Sequence, residues 1–167
     1  MPIVSSDIKT YLSGGSGNTD PNLSLGGARS TTEWTGGTLH DLFDKVTGDE
    51  NAASDVEYRG IYVMNNHGTL TWEAVKAWIS AETAGGASIA IALANEGVNV
   101  TMETIANENT APVGPSFSAP TTKGAGLSLG DIAAGQRYGI WIRRTAANTA
   151  AVNNDGATLT FEGDTAA

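Results

Sequence analysis

The chain contains no cysteine. That absence excludes disulfides and thiolate metal centres, and it suits a protein that folds in a reducing compartment. Positive charge is scarce as well: 9 Lys and Arg stand against 18 Asp and Glu, a formal net charge of −9. A phosphate backbone is held by clustered cations, so direct binding of nucleic acid is not expected. His40 and His67 are the only imidazoles, and no Gly-x-Ser-x-Gly elbow is present, so a hydrolytic triad has no supported base. No stretch approaches the ~18 apolar residues of a membrane span, and the first residues show no basic region leading into an apolar run. Neither an export signal nor a membrane anchor is expected.

What the chain does have, in 167 residues with 21 glycines, is a series of short alternating segments between glycine-rich breaks. The clearest is 127–144. Gly130, Asp131 and Gly135 break it, and from Gln136 onward Tyr138, Ile140 and Ile142 share one face of a strand while Trp141 and Arg143 share the other. Two useful faces imply a central or near-central strand of a sheet. Residues 57–64 read as another interior strand, because Tyr58, Tyr62 and Met64 on one side and Ile61 and Val63 on the other are both apolar sets. In 71–80, Trp72, Val75 and Ile79 sit at helical spacing while Val75, Ala77 and Ile79 alternate. The short turn before it, Asn65-Asn-His-Gly68, favours an antiparallel strand paired with its predecessor. Residues 88–94 alternate Ile89, Ile91 and Leu93 with small alanines, which leaves room on the alanine side for another surface. Residues 158–162 give a last strand, with Leu159 and Phe161 inward.

The remaining segments are less regular. Residues 3–13 offer one short strand. The following run to Gly27, rich in Gly, Ser and Asn, is either a mobile arm, a segment ordered by a neighbouring subunit, or a long surface loop. Residues 38–46 carry Leu39, Leu42, Phe43 and Val46 at helical spacing with Thr38 as N-cap, so one or two helical turns are expected there, followed by an acidic loop over 48–55. Residues 95–122 hold three of the five prolines and read as long loops, with an edge piece near 113–117. The expected fold is all-β: a single antiparallel β-sandwich of seven or eight strands, of jelly-roll or immunoglobulin-like connectivity, with long loops and at most one short helix. Residues 1–30 would form the extended strand and arm, and 31–167 the sandwich.

Chemistry finds little support. His67 beside Gly68 reads as a turn residue, and paired carboxylates discriminate nothing in so acidic a chain. Asp49, Glu50 and Asp55, or Asn153, Asn154 and Asp155, offer oxygen ligands for a calcium ion, but neither set follows an EF-hand pattern. Gly124-Ala-Gly126 precedes a strand and not a helix, unlike a phosphate cradle. No cofactor or metal is expected. The interface candidates are Trp141 with Arg137, Arg143 and Arg144, together with Tyr58, Tyr62 and Trp72, since Trp, Tyr and Arg dominate protein interfaces. The competing reading lays Trp141 on its own neighbouring strands under arginine stems.

Residues 42–50, 55–63, 127–136 and 140–145, leading to Asn153-Asn-Asp155, resemble segments of small virion structural proteins of tailed bacteriophages, over most of the span from 8 to 164. The resemblance implies a β-sandwich virion component without enzymatic activity. Such sandwiches serve as capsid cement or decoration proteins, and others sit on tails. A charge of −9 is unsuited to packing against a genome, so the expected place is the outer capsid surface. The expected partners are the major capsid protein and the chain itself, as a homotrimer or dimer. The alternative is a tail- or fibre-associated sandwich that binds a host glycan or another tail protein.

Overall fold

The computed structural model describes residues 1–165. Nine strands follow in order: β1 (Ile8–Leu12), β2 (Gly26–Gly27), β3 (Val56–Asn65), β4 (Trp72–Glu82), β5 (Ser88–Leu93), β6 (Met102–Thr104), β7 (Leu127–Ile132), β8 (Arg137–Thr145) and β9 (Ala157–Thr165). A four-stranded sheet in the order β1-β3-β8-β5 faces a three-stranded sheet in the order β7-β4-β9, and every pairing is antiparallel. From β3 to β5, and again from β7 to β9, each strand lies in the opposite sheet from the one before it. The chain thus crosses repeatedly between the layers of a sandwich and does not run as a meander.

The core follows from the period-2 pattern. Ile61 and Val63 of β3, Ile140 and Ile142 of β8, and Ile91 of β5 meet Val75, Ala77 and Ile79 of β4 and Leu129 and Ile132 of β7. Tyr138, Leu159 and Phe161 border this cluster as expected. β8 lies between β3 and β5, and β3 lies between β1 and β8, so both strands are interior.

Two expectations need correction. β4 does not pair with β3. Both edges of β3 are already taken by β1 and β8, so the chain arches over Asn65 into the other sheet. The buried Asn65 side chain holds that arch by donating to the carbonyls of Leu70 and Ile132, each at 2.9 Å. Residues 38–46 form no helix: Leu39 is exposed and His40 has a positive φ. The one α-helix among the described residues, α1 (Gly48–Ala53), occupies the expected acidic loop. Thr47 and Glu50 make a reciprocal capping box there, and Asp49 and Glu50 sit at the positive end of the helix, a combination that outweighs weak apolar spacing.

For the run after β1 three readings are open in the sequence, and the loop is the one observed. The run after β1 is a loop packed on its own sheet. Gly14 and Gly15 donate their N–H groups to Gly26 and Ala28, Gly60 donates to Ser24, and Ser13, Ser24 and Ser30 are buried. Its glycines permit the close approach. β2 pairs with β6, and this small ribbon lies over the outer face of β3 and β8. A Cβ on Gly26 would overlap the Glu103 carbonyl oxygen and lie 2.9 Å from the Trp141 ring, and φ there is +87°. On the strands beneath, Gly60 and Gly139 make the slots that Met102 fills.

The Gly26→Ala variant is expected to lose about 3 kcal/mol, from left-handed strain and overpacking together. Urea denaturation measures the loss, and a red shift of the native tryptophan emission would accompany loosening of the ribbon.

Candidate functional site

The outer face of the four-stranded sheet gathers most of the sequence-derived candidates. Tyr58, Tyr62 and Trp141 form a second apolar cluster with Ala92, Ala94, Met102 and Ile105, bordered by Leu25, Val56 and Phe117. The alanine side of β5 does admit another surface, and that surface belongs to the same chain. Trp141 is fully buried, and its indole N–H has no hydrogen-bond partner among the described residues. Tyr62 is also fully buried. Its hydroxyl donates to the Gly27 carbonyl at 2.6 Å and accepts from the Met102 N–H at 2.8 Å, tying both ribbon strands to β3. Burial pushes its pKa above the ordinary value, against the opposing pull of the Met102 amide. Tyr58 meets Phe117 edge-to-face with centroids 5.4 Å apart.

The arginines cover this cluster. Arg137 lies over the Tyr62 ring and Arg143 over the Phe117 ring, each 5.3 Å from the centroid. Trp141, Arg137, Arg143, Tyr58 and Tyr62 are therefore together, as the alternation of β8 and β3 requires. The interface role does not follow for the aromatics, because the chain's own loops already occupy the face. Trp72 is apart from them, inside the core between the sheets. Arg144 is apart as well, on the inner face of β8 at one end of the sandwich.

At that end lies a group of charges of which the sequence singled out only Arg144. Arg144 is buried, pairs with the buried Glu57 through Nε at 2.6 Å, and donates to the Asp44 backbone carbonyl at 2.5 Å. Arg59 has a fully buried side chain and donates to Glu108 Oε2 at 2.5 Å and to Asn22 Oδ1 at 3.2 Å. Both guanidinium groups flank Phe43, at 4.9 and 5.3 Å from its ring centroid. The carboxylates of Asp44, Glu57 and Glu108 converge within 4.8 Å of one another. Two guanidinium groups already neutralise most of that charge. The cluster thus acts as a clamp joining β3, β8 and the loops around 43 and 108. The signal was available, since Glu57 and Arg59 continue the Ile61 and Val63 face of β3 by the period of two.

Three of the other candidate ligands are occupied with local work. Glu50 caps α1, Asp55 accepts from the Val56 N–H and the Asn109 amide, and Asp155 accepts from the Ala87 N–H. The Nδ1 of His67 accepts from the N–H groups of Thr69 and Leu70, as a turn residue does. No protein-family model, curated protein or solved structure matches the chain.

Desolvation is the largest influence on Glu57 and raises its pKa, although Arg144 beside it pulls the other way. Removing the cation should therefore expose the full cost of burying this acid. Arg144→Met is expected to destabilise by about 3–5 kcal/mol near neutral pH, and Glu57→Met in the same chain to restore much of it. In the single variant the folded pKa of Glu57 rises further above the unfolded value. Stability then falls as pH climbs from the carboxylate range through that raised pKa, and the deficit shrinks at low pH, where Glu57 is protonated in both states. Denaturation curves across pH measure both effects.

Proposed function

We propose that this protein is a non-enzymatic structural component of a bacteriophage virion, a cement or decoration protein on the outer surface of the head. The observation that carries the proposal is the direction of its charge. The chain is acidic overall, and its only cluster of basic residues in sequence, Arg137, Arg143 and Arg144, is spent on its own aromatic rings and carboxylates. Little cationic surface is left for a phosphate backbone, whereas an outward-facing acidic sandwich suits the exterior of a shell. The sequence resemblance described above supports the same reading. A sheet covered on both faces is stiff, and stiffness suits a part that bridges major capsid subunits. Each contact of roughly 1,600 Å² would then hold the shell through many copies.

A second reading, a tail-associated sandwich that binds a host glycan, finds its support in one place. Trp34, Glu33, Thr35 and Asp41 line a shallow recess of about 220 Å³, where the Trp34 indole N–H and Asp41 Oδ2 have no hydrogen-bond partner among the described residues. An aromatic beside acidic groups is the kind of surface that takes a sugar ring, although this recess is smaller than most ligand sites.

Purified protein added to heads that lack it is expected to bind in many copies per particle and to raise the temperature at which the heads rupture. Unchanged rupture temperature would remove the cement reading. Glycan binding abolished by Trp34→Ala would establish the second reading in its place.

A further inference from the structure

We infer that β9 is the chain's self-association edge, joining a second copy in an antiparallel pair centred on Phe161. The two larger sheets have four edges between them. An open edge displays unpaired N–H and C=O groups and recruits another strand unless it is blocked. The edge of β1 is covered by residues 30–34, through Leu12 N–H to Thr32, Ser30 N–H to Leu12 and Trp34 N–H to Thr10. The edge of β5 is closed by Ser118, which exchanges both backbone hydrogen bonds with Ile91. β7 is short and broken by Gly130 at φ +75°, where its ladder with β4 shifts register. β9 runs nine residues, and no backbone hydrogen bond reaches its outer edge among the described residues.

The groups on that edge can be assigned. The Gly156 and Thr158 carbonyls point toward β4, where they accept from the Thr83 N–H and the Ser80 hydroxyl. Each register shift between β4 and β9 places one extra residue on the β4 side, and Gly163 is the one β9 residue without a direct partner, so the alternation along β9 is kept. The N–H and C=O groups of Ala157, Leu159, Phe161, Gly163 and Thr165 therefore point outward. Phe161 is the midpoint of the strand.

Self-complementarity selects a second copy as the occupant. With Phe161 opposite its own symmetry mate, all nine residues overlap. Leu159 faces Gly163, Thr160 faces Glu162 and Thr158 faces Asp164, so no two like charges stand directly opposite. Moving the centre by one residue toward the C-terminus would oppose Glu162 to itself. The charge of Glu162 is further balanced by Lys123, whose Nζ lies 2.6 Å from its Oε1. Leu159 and Phe161, only partly buried in one copy, would be covered by the mate, with the two Phe161 rings side by side. About ten new backbone hydrogen bonds would merge the two three-stranded sheets into one of six. The inference stands whether or not the protein belongs to a virion.

Sedimentation velocity on the intact chain over a range of concentrations is expected to show a monomer–dimer equilibrium. Thr160→Glu places a carboxylate opposite Glu162 on both symmetric sides and is expected to raise the dissociation constant at least about tenfold. Thr160→Lys loses the same hydroxyl contact with Ser80 but faces Glu162 with an opposite charge, and it is expected to dimerise at least as well as the parent chain. The double variant T160E/E162K should recover dimerisation. A chain that stays monomeric at every concentration, or a dimer that tolerates T160E as well as T160K, would overturn the assignment. Circular dichroism of each variant separates lost pairing from lost folding.

Discussion

A strand pair that is apolar on both faces cannot border water on either, and β3 with β8 is such a pair. Nine residues of β3 face nine of β8, with Ile61, Val63, Ile140 and Ile142 on one side and Tyr58, Tyr62 and Trp141 on the other. One side is closed by the second sheet. The other is closed by parts of the chain that look unstructured in sequence: the glycine-rich run after β1 and the long segment between β5 and β7. The molecule therefore has three layers, and the thin outer layer of ribbon and loops is as necessary to the ladder as the second sheet. Glycine at 26, 60 and 139 sets the spacing of that layer.

The same ladder decides where the few cations go. At one end it carries Glu57, Arg59 and Arg144 inward, and burial there is tolerated because each charge has a partner and both guanidinium groups lie against Phe43. On the outer face Arg137 and Arg143 lay their stems and charges over aromatic rings. An acidic protein has thus turned much of its positive charge toward itself. Lys45 and Lys123 are among the cations that stay exposed, against 18 acidic side chains in the whole chain.

Much of this was legible in the sequence. Alternation identified β3, β5, β8 and β9, and the inward residues of the last three, because a half-buried or fully buried strand must repeat every second residue. The mixed spacing of 71–80 has a specific cause. Ala74 has a φ of +50° and donates its N–H to Asp131, and the bulge it makes returns Trp72 and Val75 to the same face across three residues, mimicking a helix. Other features were not legible. Met102, Ile105 and Phe117 cover Trp141 from far along the chain, and single apolar residues among prolines and asparagines carry no period to read. Without their cover in view, the aromatics of β3 and β8 look like a docking surface. The helix at 48–53 was missed because its stability comes from the Thr47 and Glu50 cap and not from an apolar stripe.

The way the strands alternate between sheets also bears on how the chain reaches its native state. Ile61 must find Ile140, and Tyr11 must find Tyr62, before the central sheet exists. Few of these contacts are local, so loop-closure entropy opposes folding until late, and topologies of this kind fold in milliseconds to seconds. During that interval β8 is an unshielded hydrophobic segment. A chain made in high copy would need that interval to be shorter than the time between encounters with its own kind.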